Sequence, residues 1–250
     1  MTTEYSGSGD LGRTLELLWH GKGQPTRGPK PGLTLERIVV TAVELANREG
    51  LPALSMRRVA TQLGVGTMTL YRYVPGKGEL LDLMLDHVNG PGEDLQAHRG
   101  KDWRTSMEFV AQGSWALYTG NPWLLQVSQV RPVLGPKSMA GLEFALSALQ
   151  DVPLTGQEKI GLLVALDAYI VGAARTHVLQ QEAAAHTGLS DEEFWTAQVP
   201  YLERAMETGE YPHIAALPDD AFSMSGEDVM RYGLRSLLDG FQKLIESRES

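Results

Sequence analysis

The sequence predicts an all-α protein with an N-terminal three-helix, helix-turn-helix head and a larger helical body. Three observations carry this expectation. Apolar residues recur at three- and four-residue spacing from Leu35 almost to the C-terminus, the helical period. The segment 55–73 reads as a short helix, a glycine turn and a second short helix, and nothing beyond residue 90 reads convincingly as a strand. With 250 residues and 42% hydrophobic content the chain can bury a core unaided, and no internal repeat is evident.

The elements follow in order. Residues 1–33, rich in Gly, Ser, Thr and Pro, are expected to form a flexible arm holding one amphipathic island from Leu11 to Trp19. The head spans 34–90. Thr34 caps its first helix, with Leu33 and Ile38 at staple positions and Leu35, Val39, Ala42 and Ala46 on one face, until Gly50 stops it. Ser55 caps a second helix with Met56, Val59, Ala60 and Leu63 inward; Gly64 breaks it, and a third helix is expected from about Gly66 to Tyr73, ended by Pro75-Gly76. A fourth carries Leu80, Leu81, Met84, Leu85 and Val88. Gly90-Pro91-Gly92 then marks the boundary of the body, 91–250. Helical patterns there cover about 102–118, 122–130, 136–150, 156–186, 191–208 and 226–247, with a long loop over 208–225.

Composition narrows the function. No run reaches the roughly 18 uninterrupted apolar residues of a membrane span, and the N-terminus lacks the pattern of a secretory signal, so a soluble, cytoplasmic protein is expected. The absence of cysteine removes disulfides and thiolate metal sites. A net charge of −9 argues against nucleic acid until its distribution is considered. Between Lys22 and Gly78, nine basic residues face only Glu36, Glu44 and Glu49, and nine minus three leaves +6. A basic head on an acidic body is what localised DNA contact requires.

The stretch Ser55-Met56-Arg57-Arg58-Val59-Ala60-Thr61-Gln62-Leu63-Gly64-Val65-Gly66-Thr67-Met68-Thr69-Leu70-Tyr71-Arg72-Tyr73 holds the ingredients of a helix-turn-helix. Val65 plugs the angle between the helices and Leu70 anchors the second. Thr67, Met68, Thr69, Tyr71 and Tyr73 then point outward with no acidic neighbour, suited to base edges, thymine methyls and phosphate oxygens. The competing interpretation is an interdomain contact. Arg57 and Lys77 flank this helix, each placed to hold a phosphate or to be a plain surface charge, and Arg27 and Lys30 make the segment before the first helix a stiff cationic leader able to reach a groove.

The series Gly50-Leu51-x-x-Leu54-Ser55-Met56-Arg57-Arg58-Val59-Ala60, Leu63-Gly64-Val65-Gly66, Leu70-Tyr71-Arg72-Tyr73-Val74-Pro75-Gly76-Lys77 and Glu79-Leu80-Leu81 closely resembles the DNA-binding head of the tetracycline-repressor (TetR) family. The resemblance covers about 33–88, while Arg131-Pro132 and the later helix order loosely resemble the tetracycline-repressor C-terminal domain. It implies a three-helix head joined by a fourth helix to a ligand-binding body that dimerises through a four-helix bundle and usually represses. By matched position it places DNA contacts on Ser55, Arg57, Thr67, Met68, Thr69, Tyr71, Tyr73 and Lys77.

In the body, the run 162–174 is apolar almost all round and must be covered on more than one side. The last helix spaces Met230, Leu234, Leu237, Phe241 and Leu244 by fours and threes, a seam suited to a homodimer bundle or to internal packing. Candidate ligand contacts are Trp115, Tyr118, Trp123, Gln126, Asp167 and Arg175: aromatic groups before the central helix and the charges that interrupt it. A core Trp or an Asp paired to an Arg is the alternative for each. Bulky aromatic and aliphatic content favours an uncharged or partly aromatic effector. His177 and His186 stand too far apart for a shared metal site, so neither metal nor cofactor is expected. No phosphate loop, H-E-x-x-H or nucleophile elbow points to an enzyme. The function expected is a regulator released from a palindromic operator by a small molecule; the alternatives are an effector-independent DNA-binding protein or an all-α carrier or enzyme.

Overall fold

The computed structural model describes residues 3–21, 32–90, 98–218 and 220–249. Its order is β1 (Glu4–Tyr5), α1 (Leu11–His20), α2 (Leu35–Glu49), α3 (Met56–Gln62), α4 (Thr67–Tyr71), α5 (Lys77–Val88), α6 (Trp103–Gly120), β2 (Val127–Ser128), α7 (Pro136–Ala148), α8 (Gly156–Thr187), α9 (Asp191–Thr196), α10 (Val199–Glu207), α11 (Pro212–Ala215) and α12 (Gly226–Glu249). Among the described residues the fold is all-α apart from one two-stranded parallel ribbon.

The head forms through local signals. Thr34 Oγ1 accepts from Arg37 N at 3.1 Å to start α2, with Leu33 and Ile38 both buried beside it. Ser55 Oγ accepts from Arg58 N at 3.3 Å to start α3. The turn after α3 depends on Gly64 at φ +68°, where an L side chain would be strained, and on Val65 N donating to Ala60 O at 3.0 Å. Leu70 and Val74 are fully buried beneath the second short helix. That helix is shorter than expected, ending at Tyr71 rather than Tyr73.

Part of the expected flexible arm is structured. β1 pairs with β2, Glu4 opposite Val127 and Tyr5 opposite Ser128, and α1 packs on α5 with Thr14 and Leu17 buried. Asp10 caps α1 by accepting from Arg13 N at 3.0 Å. The helix expected over 122–130 is likewise a 3-10 turn, Pro122–Gln126, followed by β2. Proline restricts the opening of that segment, and the β1 edge supplies an alternative set of hydrogen-bond partners. Residues 22–31, which contain Arg27 and Lys30, and 91–97 lie outside the described residues.

In the body, α8 packs along α6 on one side and α12 on another. A capping box at Thr155 and Glu158 starts α8, and Gly188 in the left-handed conformation ends it. By length and composition this helix would pass for a membrane span, yet Leu162, Leu166, Ile170, Ala174 and Val178 are buried against its neighbours. The α12 seam is largely spent within the chain: Met230 and Leu234 are buried, Leu237 and Phe241 half-buried, and Leu244 exposed. Four-three spacing marks an apolar stripe without saying whether the same chain or a second one covers it.

Candidate nucleic-acid interface and ligand cavity

The second helix of the helix-turn-helix, α4, presents an uncharged face. Met68 is 76% exposed and Tyr71 exposed, with Thr67 and Thr69 half-exposed beside them. Arg57 is exposed on α3. Ser55 spends its hydroxyl on the α3 cap, and Tyr73 is half-buried and engaged. Arg58 instead pairs with Glu49, which also receives Arg48 at 2.9 Å. Lys77 opens α5 beside this face, but its Nζ donates to Glu4 Oε1 at 2.9 Å. The structure thus brings Arg57, Thr67, Met68, Thr69 and Tyr71 to one region of the head and ties Lys77 to the N-terminal segment.

Three carboxylates on α5, Glu79, Asp82 and Asp86, are buried at spacings of three and four, on one face of the helix. Two of them hold the N-terminal segment. Glu79 Oε1 accepts from Asp10 N at 2.7 Å, and Asp82 Oδ1 accepts from Ser6 Oγ at 3.0 Å and Gly7 N at 2.9 Å. Gly9 and Gly78 permit this approach, because a Cβ on Gly78 would stand 2.7 Å from Gly9 N. Burial pushes the Asp82 carboxyl above the usual carboxylate range against the opposing pull of Gly7 and Ser6. Asp86 reaches the body: its Oδ1 accepts from Ser138 N at 2.8 Å and its Oδ2 from Lys137 N at 3.4 Å, capping α7 from another helix. A Cβ on Gly135 would stand 2.4 Å from the Asp86 carboxyl carbon, so the close packing needs glycine there. Asn47 Nδ2 to Asn121 Oδ1 at 3.0 Å is a further head-to-body bond.

Beyond α5 lies a cavity of about 520 Å³, walled by Val88, Asn89 and Gly90, by Phe109 to Tyr118 of α6, by Ser138 to Phe144 of α7 and by Asp167 of α8. A smaller one of about 260 Å³ shares Tyr118 and Asp167 and continues to Leu125, Val127 and Arg175. Tyr118 hydrogen-bonds Asp167 where the two meet. Burial first, then the Asp167 charge, pushes the phenol up; burial pushes the Asp167 carboxyl up while the Tyr118 bond opposes it. Of the six candidate ligand residues, Tyr118, Asp167 and Arg175 are on these walls. The others are elsewhere: Trp123 is 1% exposed in the core, Trp115 packs on His177 with ring centroids 5.1 Å apart, and Gln126 is half-buried in the 3-10 turn.

The comparisons with known proteins agree with this arrangement. Residues 38–84 match the family described as bacterial regulatory proteins, tetR family, and residues 97–245 match the tetracyclin repressor-like C-terminal domain. The chain belongs to the TetR family. This TetR-family transcriptional regulator is 52% identical over 99% of its length to the HTH-type transcriptional repressor DrrR1 of Streptomyces coeruleorubidus, covering 91% of that protein. Its fold matches apo ActR of Streptomyces coelicolor at a TM-score of 0.67, with 24% identity, 88% of this chain and 99% of that one covered. ActR in complex with (S)-DNPA matches at 0.61 with 25% identity, over 85% and 97% of the two chains.

The N-terminal strand and the Asp86 clamp were missed by sequence reasoning. The signal for the clamp was present: carboxylates at 79, 82 and 86 interrupt an otherwise apolar helix on one face, and a buried charge requires partners from outside the helix. No comparable signal marked Glu4–Tyr5, because two residues are too few to show a period.

Proposed function

We propose that this regulator is a cytoplasmic, homodimeric repressor that grips a palindromic operator through α4 and releases it when a small molecule fills the cavity between α5, α6, α7 and α8. The observation that carries this reading is the dual engagement of α5. Its first residue follows the recognition helix after the turn 72–76, its last lines the cavity, and Asp86 between them caps α7, another cavity wall. A ligand that displaces α7 therefore acts on the helix that follows α4 along the chain. Operator release follows if the two recognition helices of a dimer leave the roughly 34 Å spacing of successive major grooves. ActR with a bound small molecule supports an effector in this body by analogy.

Arg57, Thr67, Met68, Thr69 and Tyr71 are assigned to operator contact from the α3–α4 face, with Ser55 and Tyr73 at its edge and Arg27 and Lys30 of the leader as further phosphate partners. No catalytic role, metal or cofactor is assigned. Dimerisation is supported by apolar surface left without cover, including Ile160 and Val164 on α8 and Phe194, Trp195, Tyr201 and Phe222 beyond it. Exposed apolar surface of this extent calls for a partner, and a second copy supplies the two-fold symmetry a palindrome needs. A gel shift on the DNA flanking the reading frame, with competitor DNA and a salt series, tests the proposal. A tight, competitor-resistant complex is expected; binding no better than to random DNA refutes it.

Lys77 is assigned to a phosphate for which Glu4 competes. Glu4→Gln removes the competing charge and keeps the side chain's length. Operator binding is expected to tighten by about twofold to fivefold, with log affinity falling more steeply against log salt by up to about one unit per freed lysine. Unchanged affinity and slope, measured by fluorescence anisotropy, would remove Lys77 from the interface.

A further inference from the structure

We propose that the larger cavity takes an amphiphilic cation, an amine on a bulky apolar body, and that Asp167 receives its charge. The inference deepens the effector reading above and rests on it. The apolar walls are Val88, Phe109, Val110, Leu117, Leu142 and Phe144, which suit an aromatic or alicyclic body. Among the described lining residues Asp167 is the one acidic side chain, and no Lys, Arg or His stands on that wall.

The carboxyl is underused. A carboxylate offers about four acceptor sites, and Tyr118 fills one. The nearest cations along α8, each eight residues and about 12 Å of helix away, are Lys159, which donates to Gln150 O at 3.0 Å, and Arg175. Arg175 walls the smaller cavity and donates to Leu125 O at 2.8 Å. Burial away from water disfavours the charge on Asp167 and pushes its carboxyl up, against the opposing pull of the Tyr118 bond. An ammonium entering from the larger cavity supplies the missing countercharge and one or more charge-assisted hydrogen bonds. A neutral molecule of the same shape supplies no charge, and an anion meets repulsion. Of the uncharged or partly aromatic effector that composition favours, this inference keeps the aromatic body and adds a charge. Arg175 also sets the orientation: it repels the ammonium from the far cavity and keeps it on the α6–α7 side of the Tyr118–Asp167 pair.

The test compares 9-(aminomethyl)anthracene with 9-(hydroxymethyl)anthracene by fluorescence titration of the full-length protein at pH 7.5. The amine is expected to bind at least about tenfold tighter than the alcohol. Asp167→Asn, close in size and shape, is expected to abolish that preference. Equal affinities in the unaltered protein, or a preference that survives Asp167→Asn, overturns the assignment to Asp167 and leaves the cavity standing. Gly113→Trp provides the control for location, because Gly113 lines the cavity and a Cβ there meets nothing within 4 Å. It is expected to weaken both probes. Binding insensitive to Gly113→Trp, or no binding of either probe, overturns the effector-cavity reading and the inference with it.

Discussion

Met68→Glu is expected to lose at least about a hundredfold of operator affinity while the protein keeps its thermal midpoint. The stability half of this expectation follows from exposure: Met68 is 76% accessible on α4, so the substitution removes little packing and introduces no buried charge. The binding half follows from electrostatics. The face formed by Thr67, Met68, Thr69 and Tyr71 carries no charge of either sign, and a carboxylate at its centre would stand against base edges and phosphates in a crowded groove. Like charges brought together at an interface cost several kcal/mol, and about 2.7 kcal/mol already corresponds to a hundredfold. A dimer presents the change twice. Binding to competitor DNA should fall less, because it depends on cations carried by other helices, such as Arg57 of α3. A Met68→Glu protein that is fully folded and binds its operator within threefold of the original would place the recognition surface elsewhere.

The features legible in the sequence are those set by neighbours along the chain. Thr34 and Ser55 each cap a helix with their own side chain, Gly64 takes the one backbone conformation that needs glycine, and Leu70 sits at its helical period from the surrounding core. The all-α class followed from such signals. The contacts that join the head, the N-terminal segment and the body span long stretches of chain: Glu4 meets Lys77 and Val127, and Asp86 meets Ser138. Periodicity cannot place them, since it identifies a buried face without identifying its cover. The aromatic candidates show the same limit. Trp115, Trp123 and Tyr118 fall within nine residues, yet of the three Tyr118 alone walls these two cavities, while Trp123 fills the core and Trp115 packs on His177. The spacing of the α12 stripe suits a second chain or internal packing alike, and α8 of the same chain occupies much of it.

Asp86→Ala is expected both to destabilise the protein by about 2–3 kcal/mol and to disconnect the cavity from the operator. The carboxylate is 4% exposed and accepts from two backbone amides in the first turn of α7, groups that no residue of that helix can satisfy. Truncation leaves those amides without their acceptor and opens a gap beside Gly135, whose lack of a side chain makes room for the carboxyl. The consequence for signalling follows from where the link lies. Ser138, Gly141, Leu142 and Phe144 of α7 face the cavity, and Asp86 belongs to the helix that begins next to α4. A side chain built into the cavity can stand in for a ligand, so Gly113→Trp alone is expected to weaken operator binding several-fold by pressing α7 outward. In an Asp86→Ala background the same tryptophan should have little further effect. The measurement is a double-mutant cycle on operator affinity, read beside hydrogen exchange of the amides over 136–140, which should lose protection in Asp86→Ala. A large coupling energy identifies the carboxylate as the mechanical joint between pocket and head. Strict additivity would mean that a cavity signal reaches α4 by another route, such as the Asn47–Asn121 bond between α2 and the end of α6.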